Sequence, residues 1–138
     1  MGTQQHLYGE IEAALAAIVP YGSVFEIRLL TDRKGRVDSG YFNAPSYAAS
    51  AIAGLDQWYQ GVYVTPNPVN PELLARAANR INPWAQITTL DPDIVRRNWL
   101  LIDCDPVRPT GISATEQEHQ AALQRAYEIK GTLGLLWG

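Results

Sequence analysis

At 138 residues the chain has room for one core and not comfortably for two. Its 46% hydrophobic content, four Trp and seven Tyr exclude a disordered polymer, and a net charge of −3 excludes global attraction to a polyanion, so a nucleic acid must be met by a local patch or through metal. One cysteine, Cys104, excludes an internal disulfide; no basic leader precedes an apolar run and no window reaches the roughly 18 apolar residues of a membrane span, so the expectation is a single cytoplasmic domain over 1–138 without a membrane partner.

In chain order, residues 4–19 place Leu7, Ile11, Leu15 and Ile18 at helical spacing before Pro20, which predicts an amphipathic helix. SVFEIRLLT, 23–31, alternates Val24, Glu26, Arg28 and Leu30 against Phe25, Ile27 and Leu29. With the charged turn DRKGR and the returning VDSGYF, 37–42, it predicts a hairpin. The alanine-rich stretch 47–58 predicts a short helix and GVYVTP, 61–66, a strand closed by Pro66 and Pro68. Asn70 as cap, Pro71 in first position and Glu72 in the first turn predict a helix over 70–81, with Leu73, Leu74, Ala77, Ala78 and Ile81 on one side. A loop over 82–93 leads to the most apolar strand, RRNWLLIDCD, 96–105; a helix over 115–136 follows, opened by capping-box spacings at Ser113/Glu116 and Thr115/Glu118. The order implies an α+β fold with helices on one side of a sheet.

The strand 96–105 ends unusually, on Asp103 and Asp105. As strand residues two apart they share a face, with Cβ atoms roughly 6.5 to 7 Å apart, while Cys104 points the other way. Two carboxylates so placed repel each other and ask for a cation, and Mg2+ or Mn2+ suits hard oxygen ligands; zinc does not suit the scattered His6, His119 and Cys104. A plain alternative is that Asp103 caps the strand end and Asp105 opens the Pro106 turn. Arg96, Arg97 and Arg108 flank the pair, as arginines flank phosphates in phosphoryl-transfer sites or as solvated charges flank any strand. The DRKGR turn beside Tyr41 and Phe42 is either a nucleic-acid contact or, more simply, a solvated hairpin tip.

Beyond these local features, TTLDPDIVRRNWLLIDCDPVRPTGISATEQEH resembles the metal-binding region of primase-polymerases of the archaeo-eukaryotic primase superfamily, in its phage, plasmid and CRISPR-associated branch. VFEIRLL, SGYFN and GVYVTPNPVNPELLARAANRI resemble, in the same order, the blocks that precede it. The resemblance implies an RRM-like core and places the family's first catalytic motif on Asp103 and Asp105, which would hold Mg2+ or Mn2+ for template-directed nucleotidyl transfer. It further implies DNA template and primer and nucleoside triphosphates as partners, with Arg28, Asn67 and Arg108 as nucleotide or metal-adjacent contacts. The family's histidine motif and third acidic motif have no counterpart here. The expectation is therefore the N-terminal portion of a catalytic domain, incomplete at its C-terminus. Such a portion would pair with a missing C-terminal half or a helicase domain, or associate with itself. Two other functions compete: a non-catalytic nucleic-acid-binding or structural module on the same fold, and a metal-dependent nuclease.

Overall fold

The computed structural model describes residues 2–55 and 58–137. It falls into two compact units, 1–99 and 100–138.

The first unit is α+β. Its elements are α1 (Gly2–Ile18), β1 (Phe25–Leu30), β2 (Val37–Phe42), α2 (Pro45–Ile52) and β3 (Gly61–Val64), followed by two short 3-10 turns, Pro71–Arg76 and Asp91–Asp93. The strands form one antiparallel sheet in the order β2-β1-β3. Gly35, at φ 79°, makes the hairpin turn that the charged tip needs. Register follows from the alternation in β1: Phe25 lies opposite Phe42 and Ile27 opposite Val64, while Glu26 lies opposite Tyr41 and Arg28 opposite Ser39 and Tyr63. Phe25, Ile27, Leu29 and Phe42 thus turn to one face, where Leu15 and Val19 of the α1 end and Ala48 and Ile52 of α2 close the main core. Phe25 and Phe42 stack with ring centroids 6.0 Å apart. The opposite face carries a smaller cluster of Val24, Tyr41, Val69 and Leu73. The helix expected over 47–58 covers only Pro45–Ile52; residues 56 and 57 lie outside the described ones.

Two expected elements are corrected. The helix over 70–81 begins as expected, with the Asn70 side chain accepting from the Glu72 amide at 3.1 Å and Pro71 first, but it is a 3-10 turn that ends at Arg76. The reason is the outer edge of β2. Its backbone groups need partners, and 77–85 supply them: the Tyr41 amide donates to the Ala77 carbonyl, the Asn79 amide to the Tyr41 carbonyl, and Ser39 and Asn82 exchange two bonds of 3.0 and 2.8 Å. Satisfying a strand edge outweighs continuing a helix of ordinary propensity. Gly40 lets that segment come close, since a Cβ there would sit 2.0 Å from the Arg80 carbonyl oxygen.

The second correction is the strand over 96–105, which belongs to no sheet. A strand exists only where a neighbour returns its hydrogen bonds. Among the described residues of the second unit the one regular element is α3 (Glu116–Trp137), whose backbone groups are spent along its own axis. Leu100 and Leu101 are consequently 73% and 87% exposed, and none of the described residues of this unit is buried. The expected start of α3 is present: Thr115 and Glu118 form a capping box, with the Thr115 amide donating to Glu118 at 2.8 Å and the Glu118 amide to the Thr115 hydroxyl at 3.3 Å. Thr115's amide and hydroxyl hold the Glu118 carboxyl below its ordinary pKa.

Candidate functional site

The chemistry-bearing residues divide between the two units. In 100–138, Asp103 and Asp105 are exposed, and neither side chain takes part in a hydrogen bond or ion pair among the described residues. Cys104 between them is half-buried and, with Leu100, Ile102, Ala126, Ile129 and Leu133, lines an apolar cavity of about 380 Å³ beside α3. Leu101 lines the same cavity as Leu100 and Ile102, so the segment does not alternate as a strand would, and only at 103–105 does the half-buried residue fall between two exposed ones. Arg108 donates to the Ile112 carbonyl at 2.5 Å, which folds the loop ahead of α3. His119 is exposed.

As a donor set, two open carboxylates suit a hard cation that keeps much of its water. Among the described residues, no group of three or more His, Cys, Asp or Glu side chains is placed to hold a metal. The pair accordingly offers two protein ligands and not a closed cage.

In 1–99, Asn67 is committed to the backbone. Its Oδ1 accepts from the amides of Asn98 and Trp99 at 2.7 and 2.8 Å, and its Nδ2 donates to the Trp99 carbonyl at 3.1 Å. One side chain thus does for 98–99 what a neighbouring strand would do. Trp99 Nε1 adds a bond of 2.7 Å to the Ile18 carbonyl.

Arg28 belongs to a network on the polar face of the sheet. Glu26 is fully buried; its carboxylate accepts from Arg28 Nε at 3.0 Å, from the Thr89 amide at 3.1 Å and from the Ser39 hydroxyl. Arg28 Nη2 reaches the Thr89 carbonyl at 2.5 Å, and Thr89 Oγ1 donates to the Tyr41 hydroxyl at 3.3 Å. The guanidinium, one-third exposed, borders a cavity of about 290 Å³ with Tyr63, Thr65, Thr89 and Asp91.

A second buried carboxylate, Asp38, forms two bonds of 2.9 and 2.7 Å with Arg36 and accepts from the Trp84 amide at 2.9 Å and the Tyr59 hydroxyl at 2.8 Å. Arg36 above all, then Trp84 and Tyr59, lower its pKa to about 2 against burial, which pushes the other way. Burial, and then the hydrogen bond to Asp38, raise that of Tyr59.

Sequence alternation put Glu26 and Arg28 on one face but gave no hint that Thr89, 63 residues on from Glu26, would complete the set. The suggestion that Tyr41 and Phe42 could stack on nucleic acid is corrected: both rings are buried in the unit's two apolar clusters.

Compared with protein-family models, with curated proteins and with solved structures, the chain finds no match in any of the three.

Proposed function

We propose that this chain carries the metal-holding carboxylates of a template-directed nucleotidyl transferase, a DNA primase or polymerase with an RRM-like core. The observation that supports it best is the sorting at 103–105: two unpaired carboxylates stand in solvent while the thiol between them turns to apolar packing. Charges left open beside a run of exposed apolar residues are poor structural elements and suitable ligands. The ordered resemblance of nearly the whole chain to primase-polymerases gives the ligand its task.

Asp103 and Asp105 would hold Mg2+ or Mn2+. When bound, such an ion neutralises phosphate charge and lowers the pKa of an attacking 3′-hydroxyl. Arg28, which the resemblance gives as a nucleotide contact, borders an open cavity within 1–99; its guanidinium is ion-paired with Glu26 and held by the Thr89 carbonyl, and its remaining N–H donors suit a phosphate oxygen. Asn67 fixes the backbone at 98–99 and so is a positioning residue within 1–99. Arg108, which orders the loop before α3, stands in the same class.

The test is Mn2+ binding followed by electron paramagnetic resonance, with primer extension on a primed template in parallel. The expected result is Mn2+ binding that disappears in the Asp103→Ala, Asp105→Ala double variant, and extension that appears when a C-terminal half of the family's catalytic domain is added and is lost in the same variant. No Mn2+ binding by the unaltered chain rejects the proposal. Binding without extension favours a non-catalytic metal-holding module, a second reading supported by the absence of a third metal-ligating side chain at the pair among the described residues. Degradation of single-stranded DNA in the absence of nucleotides assigns the pair to a nuclease.

A further inference from the structure

A different part of the molecule has features of a binding site, wholly within 1–99 and needing neither aspartate. Trp84 is held in the left-handed backbone region, at φ 55°. For a bulky side chain that conformation is unfavourable and persists only when its surroundings impose it. The imposing group is the buried Asp38 carboxylate, which accepts from the Trp84 amide and is itself fixed by Arg36 and Tyr59.

The result is an indole that does not join the core. Its residue is 50% exposed, and the Arg36 guanidinium lies 5.1 Å from the ring centroid. Trp84 also walls an open cavity of about 310 Å³ with Ser39, Tyr41, Arg76, Asn82 and Gln86. That volume is at the small end of small-molecule sites. Its walls combine one large aromatic surface, amide groups that both donate and accept, and a guanidinium that reaches the Tyr41 hydroxyl at 3.5 Å. Gln86 Nε2 donates to the Trp84 carbonyl at 3.0 Å, which leaves its carbonyl oxygen and the Asn82 side-chain amide to face a ligand with polar edges of its own. A free anion would leave the indole without purpose.

We propose that this cavity binds a nucleotide base by stacking on Trp84, with Asn82 and Gln86 facing the base edge and Arg76 the attached phosphate. Base stacking on an aromatic side chain tolerates sequence, since every base has a π face, and a guanidinium supplies the salt-dependent part of binding. Arg36 is paired with Asp38, and the exposed hairpin tip adds Arg33 and Lys34 against Asp32, a small positive excess that a strand phosphate can use; a single strand therefore suits the site as its source of bases, although a free nucleotide has the same chemistry.

The experiment measures binding of a labelled twelve-residue oligo-dT to the full chain by fluorescence anisotropy at low salt, with dTMP and heparin as separate competitors. The expected outcome is salt-sensitive binding that weakens about tenfold in Trp84→Asn, stays near the original in Trp84→Phe, and weakens several-fold with a shallower salt slope in Arg76→Gln. Asparagine tolerates φ > 0 and keeps the backbone donor to Asp38, so its loss of binding is not a loss of fold; a circular dichroism melt of each variant checks this. Competition by dTMP at similar concentration identifies a free-nucleotide site, and competition only by the oligomer identifies a strand site; both support the proposal. Binding that Trp84→Asn leaves unchanged, displacement by heparin that is equally blind to Trp84, or no binding by the original chain overturns it. The Asp103→Ala, Asp105→Ala double variant should bind the oligomer normally, which separates this site from the metal proposal.

Discussion

Residues 1–99 and 100–138 solve opposite problems. In the first unit every charge taken out of water is matched: Glu26 and Asp38 are buried, and each carboxylate meets at least three donors. In the second, apolar residues stay in water and the two aspartates have no partner among the described residues. Burial of polar groups demands full satisfaction, while exposure leaves groups free to bind something else. The contrast is one of satisfaction: the buried carboxylates of the first unit are committed to donors around them, while those of Asp103 and Asp105 in the second are not.

The contrast can be broken most strongly at Glu26. Glu26→Ala leaves Ser39 and the Thr89 amide, both buried, and the partly exposed Arg28 without their shared acceptor, and should lower the stability of the 1–99 unit by about 3 kcal/mol, since losing one partner of a buried pair costs more than the pair is worth. Urea denaturation followed by far-UV circular dichroism measures it. A loss within 0.5 kcal/mol would show that water reaches the network and that the first unit is less closed than its geometry implies.

Asp38 comes next. Its pKa is lowered from 3.8 to about 2, so the folded state prefers the carboxylate and the stabilisation it gives is fully present above pH 4 and fades as pH falls from about 4 to about 2. The shift corresponds to about 2 kcal/mol. Melting temperature should fall across that window, and Asp38→Asn should be less stable at pH 7 and show a flatter acid limb. An unchanged acid limb in Asp38→Asn would mean that Arg36 and Trp84 are not held by this charge.

The same two carboxylates mark how far sequence alone could go. The faces of β1 and β2 were legible because alternation in FEIRLL is unambiguous, and the Asn70 and Thr115 starts were legible because capping depends on residues three or fewer apart. What followed Arg76 was not. The helical periodicity of Leu73, Leu74 and Ala77 is real, yet the open edge of β2 claims Ala77 and Asn79, and an edge 36 residues away leaves no local trace. The apolar content of WLLI likewise predicts burial in a sheet, but pairing depends on a neighbour that periodicity does not reveal. In the candidate sites, spacing set Cys104 apart from Asp103 and Asp105 on the premise of a strand, and the strand is absent although the cysteine is half-buried and the aspartates are exposed. The cavity beside Trp84 was not legible, because it rests on Asp38 reaching a residue 46 positions later.

The smallest expected effect falls where the first unit ends. Asn67 replaces a missing strand for Asn98 and Trp99 with three hydrogen bonds, all exposed, so each contributes little in competition with water. Asn67→Ala should therefore cost about 1 kcal/mol or less in global stability. Its local effect should be larger, since 98–99 then keep only the Trp99 Nε1 bond to the Ile18 carbonyl. Amide exchange at Asn98 and Trp99 should quicken by about tenfold, and limited proteolysis should cut the apolar run near Trp99 sooner, while the β1 amides stay as slow as before. If β1 exchange quickened to the same extent, Asn67 would belong to the cooperative scaffold, and the division between a satisfied unit and an unsatisfied one would have to be drawn closer to Asp103.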